Sequence, residues 1–168
     1  TSDTLKYNTF SKIATILGPS NIVSDNNHIY SERGFYNTLS EQAELLDRSI
    51  LTNEGKKLIG DSLFYDRKVG YGEAFDNIRM TDTINKNMLT GDYCFYNELT
   101  DSAFATKRAV AIDYSQGDSL FMHGDTLQLI SYNLNTDSVF RLMKAYHKVR
   151  MYRTDVPVSY THLRAHET

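Results

Sequence analysis

A single cysteine, Cys94, rules out any disulfide within the chain, so cysteine usage gives no reading of redox compartment. Tryptophan is absent, and proline and glycine are scarce, at two and nine residues in 168. So few breakers favour long ordered stretches. No apolar run is long enough to cross a bilayer as a helix. The net charge is −3 without a block of like charge, which argues against a nucleic-acid surface, since that needs clustered Lys and Arg. There is no Gly-rich phosphate loop, nucleophile elbow or dinucleotide fingerprint. His28, His123 and His147 have no metal-ligand spacing between them.

What the chain has instead is twelve Tyr, eight Phe and an internal repeat. A strand-like phrase recurs five times, as Ser2-Asp-Thr-Leu-Lys-Tyr7, Ser31-Glu-Arg-Gly-Phe-Tyr36, Gly60-Asp-Ser-Leu-Phe-Tyr65, Gly91-Asp-Tyr-Cys-Phe-Tyr96 and Gly124-Asp-Thr-Leu-Gln-Leu129. Its starts lie 29, 29, 31 and 33 residues apart. An acidic column (Asp3, Glu32, Asp61, Asp92, Asp125) and a tyrosine column (Tyr7, Tyr36, Tyr65, Tyr96, with Leu129 last) run through it. An alanine follows each time, at Ala14, Ala43, Ala74, Ala103 and Ala145. A second apolar segment closes each unit near Asp25, Asn53, Asp82, Asp113 and Asp155.

A period near thirty residues also suits helical hairpins. The local pattern favours strands: apolar residues alternate or run in threes, with β-branched and aromatic enrichment between polar turns. Ser24-Asp-Asn-Asn27, residues 53–55 (Asn-Glu-Gly) and Gly18-Pro19 read as turns or breakers, and His28 falls in a turn. Residues 39–51 have some helical character but align with strand copies, so a strand is expected there. The last unit carries an insertion near Tyr132–Val139, expected to be a longer loop. Each unit alone exposes an apolar face, and stacking buries it. The expected fold is all-β: a repetitive stacked β-jelly-roll or a β-solenoid of about 30-residue units, open-edged.

A periodic acid after Gly or Ser suits turn hydrogen bonding and strand entry better than catalysis, which needs a local pair. Cys94 shares a slot with Leu5, Gly34, Leu63 and Leu127, so it is expected to be buried as a small hydrophobe. The aromatic columns suit core packing and, as a set, leave room for an apolar trough along the stack. Alternation puts Leu5, Leu63, Cys94 and Leu127 on one face with Tyr7, Tyr36, Tyr65 and Tyr96, and Phe35, Phe64 and Phe95 on the other. Ile22, Ile50, Ile78, Met80, Val110 and Ile112 are further candidates for the trough, and the alternation leaves open which face lines it.

Residues Val158–Thr168 translate one frame of a widely used transposase sequencing adapter. Residues 157–168 are therefore expected to be a non-native tail beside a repeat domain at 1–156. The chain starts inside a repeat with Thr1, so the native N-terminus is expected to lie upstream.

The segments Gly18-Pro-Ser-Asn-Ile-Val23, Gly60-Asp-Ser-Leu-Phe-Tyr-Asp66, Gly72-Glu-Ala-Phe-Asp-Asn-Ile-Arg-Met80, Asp118-Ser-Leu-Phe-Met-His-Gly-Asp-Thr-Leu127 and Lys148-Val-Arg-Met-Tyr-Arg-Thr-Asp155 resemble the OstA-like/LptA family. The resemblance implies rungs of a β-jelly-roll in a periplasmic, non-enzymatic protein without cofactors. It also implies that lipopolysaccharide, through its lipid A acyl chains, is carried between two sheets. Partners would be further copies or other lipopolysaccharide-transport components, joined through edge strands, and no nucleic acid. The alternatives are a surface β-solenoid that binds or acts on polysaccharide, the N-terminal domain of the outer-membrane assembly protein, and a purely structural repeat.

Overall fold

A computed structural model describes residues 2–24, 27–53, 55–134 and 136–154. Asp25, Asp155 and the tail at 157–168 lie outside the described residues. Eleven strands follow in order: β1 (Leu5–Asn8), β2 (Ile13–Ser24), β3 (Asn27–Asn37), β4 (Gln42–Asn53), β5 (Lys56–Asp66), β6 (Tyr71–Asp82), β7 (Asn87–Asn97), β8 (Ser102–Asp113), β9 (Leu120–Tyr132), β10 (Phe140–Tyr146) and β11 (Arg150–Arg153). All pair antiparallel with their chain neighbours in one open sheet, except that β11 pairs β9. Antiparallel pairing decides for the jelly-roll over the solenoid. The stretch 39–51 is turn and strand, and the loop between β9 and β10 is the expected insertion.

Each long strand breaks register once near its middle, for example between Leu46 and Ser49 on β4 or Phe75 and Ile78 on β6. On β4, β6 and β8 the break is a pair of left-handed residues: Asp47-Arg48, Asp76-Asn77 and Lys107-Arg108, all with φ between 50° and 61°. His147-Lys148 form the same pair between β10 and β11, so these two are the halves of one kinked strand docked on β9. Gly18 takes φ 101° at the matching point of β2, where Gly18-Pro19 bends the strand instead of ending it. His28 lies in β3 and not in a turn.

The opposing strand supplies a small residue at each break. Ser20 faces Ser31, Ser49 faces Gly60, Ile78 faces Gly91 and Ala109 faces Gly124. Ser31 donates its hydroxyl to the Leu46 carbonyl at 3.1 Å, just before the left-handed pair. A Cβ on Gly91 would sit 3.0 Å from the Thr106 carbonyl, and one on Gly124 would sit 3.2 Å from that of Tyr146. Close backbone approach therefore sets a crease across the sheet.

The acidic column lies at this crease and ties it down. Asn77 donates to Asp61 at 2.6 Å, Arg108 donates two hydrogen bonds to Asp92 at 2.9 and 2.7 Å, and Lys148 lies 3.8 Å from Asp125. Each partner is the second left-handed residue of the neighbouring strand. Asp3 donates its backbone N–H to the Pro19 carbonyl instead. Glu32 departs from the pattern and accepts from Tyr30.

Folding along the crease brings the two halves of every strand together. Ile16, Leu45, Leu63, Ala74 and Cys94 from one half pack against Ile29, Leu51, Leu58, Met80 and Leu89 from the other. A fully buried Leu or Ile contributes roughly 1.5–3 kcal/mol. A second buried cluster, Ala105, Ala109, Ala111 and Leu127, continues the rows, with Leu89 packed against both.

Gly34 and Gly72 give opposite expectations. A Cβ on Gly34 would lie 2.6 Å from the Glu44 carbonyl and 3.2 Å from the Leu45 Cα. Gly72 meets nothing nearer than 3.7 Å and stands where Ala14, Ala43 and Ala103 stand in other strands. In urea unfolding, Gly34→Ala is expected to lose about 1–3 kcal/mol, and Gly72→Ala to gain about 0.5–1 kcal/mol.

Candidate functional site

The cross-strand register arranges the inner face into rows that run the length of the sheet. The row nearest the crease in the first half reads Leu5, Ile16, Gly34, Leu45, Leu63, Ala74, Cys94, Ala105, Leu127, Ala145. Across the crease it faces Ile22, Ile29, Leu51, Leu58, Met80, Leu89, Ala111, Met122 and Met151. These two rows are aliphatic throughout apart from the glycine and the cysteine. Between β2 and β9 the first row is buried, Leu63 at 5% exposure and Leu127 at 2%, so the facing side chains meet directly.

Nearer the rim the inner row reads Tyr7, Ala14, Tyr36, Ala43, Tyr65, Gly72, Tyr96, Ala103, Leu129, Met143. From Tyr7 to Leu129 a large residue on one strand is flanked by a small one on the next, which lets rings lie over the neighbouring backbone. The alanine column of the sequence is thus split: Ala74 and Ala145 belong to the row nearer the crease, and Gly72 takes the place beside Tyr65. The tyrosine hydroxyls reach the rim turns. Tyr65 donates to Glu98 at 3.3 Å, Tyr96 donates to Asp101 at 3.2 Å, and Tyr7 lies 3.3 Å from the Thr38 hydroxyl. Burial, with the charge of Asp101, pushes Tyr96 up to about 12.

The trough candidates divide by face. Leu5, Leu63, Cys94 and Leu127, the tyrosines, Ile22, Ile78 and Met80 stand on inner rows, with Leu5 and Tyr7 exposed at the β1 edge. Ile50, Val110 and Ile112 do not: alternation puts them on the outer face, opposite Ser49, Leu51, Ala109 and Ala111. In sequence, Ile50 and Val110 align with Ile22 when Asp25 is matched to Asn53 and Asp113. The register matches Ser24 to that column through Asn27, and a slip of one residue exchanges the faces. The aliphatic row of Ile29, Leu51, Leu58 and Leu89 escaped the sequence reading for the same reason.

Another missed column is Asn8, Asn37, Asp66 and Asn97, one residue after each tyrosine. Each side chain accepts backbone N–H groups two or three residues on and closes the turn to the next strand. Asp82 does the same on the opposite rim for Ile84 and Asn85, as the structural reading of the second acidic column requires. The tyrosine–Asx dipeptide was the available signal.

Among the described residues, carboxylates are held inside the fold near both rims, Asp82 in its turn and Asp101 on the opposite rim. Asp101 accepts from Ser131 at 2.7 Å and from Arg141 at 3.1 and 3.2 Å. Burial pushes this carboxyl up, and the hydrogen bonds from Ser131 and Arg141 outweigh it, holding it below the usual range. Among the described residues no group of three or more His, Cys, Asp and Glu could hold a metal. Cys94 is buried with its thiol pushed up to about 12 by desolvation, an inert group in an apolar row.

A sequence model of the family described as OstA-like protein matches residues 1–61. No curated protein matches the chain by sequence. Among solved structures the chain is similar to LptH, the LptA-homologous periplasmic component of the lipopolysaccharide transport device of Pseudomonas aeruginosa. The TM-score is 0.57 at 8% identity, covering 86% of this chain and 92% of that one. At that identity the likeness is one of fold. The two findings together bear out the resemblance to the OstA-like/LptA family and the jelly-roll architecture.

Burial of Cys94 makes a chemical expectation. At pH 8 the native protein is expected to react with a thiol reagent such as dithionitrobenzoate at least about a hundredfold more slowly than free cysteine. Reaction should become rapid once denaturant unfolds the sheet. Equal rates for native and unfolded protein would contradict the burial.

Proposed function

We propose that this protein is a periplasmic lipopolysaccharide carrier that holds acyl chains between the two halves of its folded sheet. The pair of aliphatic rows carries this reading: they face each other across the crease, uninterrupted by charge from β2 to β9. Acyl chains contribute roughly 0.8 kcal/mol per buried CH₂ and need no specific chemistry from their host. The likeness of fold to LptH supports the choice of lipid, and the OstA-like match at residues 1–61 supports it independently.

The interior is filled by its own side chains, so loading requires the halves to part. Packing of row against row then gives way to packing of each row against hydrocarbon of similar cohesion. Tyr65 and Tyr96 suit the boundary, with apolar ring bodies inside and hydroxyls at the rim. The role needs no catalytic group, and the protein acts as a carrier and not as an enzyme. The first and last strands, β1 and β10 with β11, each pair on one side only among the described residues. Their free edges let copies or other transport components add end to end by strand pairing.

Neighbouring residues on opposite faces test the reading. A photo-cross-linking amino acid placed at Leu51 faces the interior, and one at Ile50 faces outward. With labelled lipopolysaccharide, cross-linking is expected from position 51 at about ten or more times the yield from position 50. Equal yields, or yield from position 50 alone, would overturn the interior as the lipid site.

A further inference from the structure

The folded sheet has two outer faces, one on each half, and the lipid reading uses neither. In cross-strand register the first half presents Phe35, Glu44, Phe64, Glu73, Phe95 and Phe104, with Asp66 one row nearer the rim. The second half presents two outer rows. One runs through His28, Lys57 and Ile112, and the other through Ile50, Ile59, Arg79, Val110 and His123.

Charge is sorted between these faces. From β4 to β8 the first face holds Glu44, Asp66 and Glu73 and no Lys or Arg. Over the same strands the second face holds Lys57 and Arg79 and no Asp or Glu, with His28 and His123 flanking them. The cations of the first face stand outside this span, as Lys6, Arg33 and Lys144, and Arg33 is already paired with Asp47 at 2.9 Å. Glu44, Lys57 and Arg79 are exposed and take no hydrogen bond or ion pair among the described residues.

Between the charges both faces are apolar. Phe64, Tyr71, Phe95, Phe104, Tyr93 and Phe75 form one chain of ring contacts, with centroids 5.0–6.1 Å apart. Phe75 is still 38% exposed. Ile50, Ile59, Val110 and Ile112 give the second face an aliphatic surface of its own. Apolar sheet faces without a covering layer mark interaction surfaces. A hollow on the first face is lined by Glu44, Ser62, Phe64, Glu73 and Phe75. Tyr93 already donates to Glu73, which leaves Glu44 as the free acceptor there. A basic head group entering the hollow would lie against Phe75 and meet the Glu44 carboxylate.

We propose that the two outer faces dock on each other between copies of this chain, the acidic aromatic face of one copy taking the basic aliphatic face of the next. Lys57 and Arg79 of one copy then meet Glu44 of its neighbour, and the apolar surfaces between them close together. A basic peptide would answer the acidic face alone and leave the basic face of the other half unmatched, whereas a second copy answers both. The faces lie on opposite sides of the fold, so the contact is heterologous and builds open side-by-side rows. Such rows grow across the sheet, at right angles to any addition of strands at its edges. A half-sheet from β3 to β9 covers about 500 Å², below the roughly 800 Å² per partner of a standard stable interface. The association is therefore weak, with a dissociation constant on the order of 10–100 µM.

The test is sedimentation of the full chain over about 5–500 µM at low and at high salt. The wild type is expected to associate at low salt and to weaken as salt screens the charges. Glu44→Lys and the double variant Lys57→Glu/Arg79→Glu should each weaken association about tenfold or more, because each sets like charges against each other. An equimolar mixture of the two variants should recover association to within about threefold of wild type, since each reversed face complements the other. All three positions are exposed, and circular dichroism should show the fold unchanged. The sheet edges are the same in every variant, so association by strand pairing would be equal in all of them. Association by the variants as strong as that of wild type, or a mixture as weak as its components, would overturn the proposal. So would a wild type that stays monomeric throughout while binding penta-lysine, or binding nothing.

Discussion

Every long strand bends at the same height because a small residue on one strand faces the carbonyl that precedes a left-handed pair on the next. Ser31 bonds that carbonyl, while Gly60, Gly91 and Gly124 leave room for it. The bend keeps the alternation in phase: odd residues stay inside along β4 and β8, and even residues stay inside along β6. A flat sheet of this composition would expose one apolar face along its whole length. The crease turns that face onto itself, and the two aliphatic rows bury each other.

The acids of the repeat follow from the same geometry. A left-handed pair places its second residue beside the crease acid of the neighbouring strand, where Asn77, Arg108 and Lys148 meet Asp61, Asp92 and Asp125. Exposed pairs of this kind add little stability each. Their value lies in fixing where the strand bends. The proposed function depends on the bend too, since a carrier of hydrocarbon must have an interior that is apolar by construction and free of groups that hold it shut. The carboxylates held inward near the rims are already engaged: Asp101 by the charge of Arg141 and the Ser131 hydroxyl, and Asp82 by the N–H groups of its own turn.

Much of this was legible in the sequence, and the rest was hidden for physical reasons. The five-fold phrase gave the unit, the strand class, the structural role of the acids and the burial of Cys94. It also put the tyrosine and phenylalanine columns on opposite faces, as the register has them. The second half of each unit was harder. Its phrase is short and degenerate, and an error of one residue moved Ile50, Val110 and Ile112 to the wrong side while hiding Leu51 and Ala111. The left-handed pairs were invisible because Asp-Arg, Asp-Asn and Lys-Arg carry no glycine to announce them. Gly18-Pro19, the one break with such a signal, read as an end to the strand when it is a bend within it.

The central claim is that the halves of the sheet are closed on their own side chains and must separate to admit lipid. Spin labels at Ile84 and Leu99, exposed turn residues on opposite rims, would report the separation by pulsed electron-spin distance measurement in a Cys94→Ser background. The account predicts a longer and broader distance on saturation with lipopolysaccharide than in the empty protein. Bound lipopolysaccharide with an unchanged distance would contradict it.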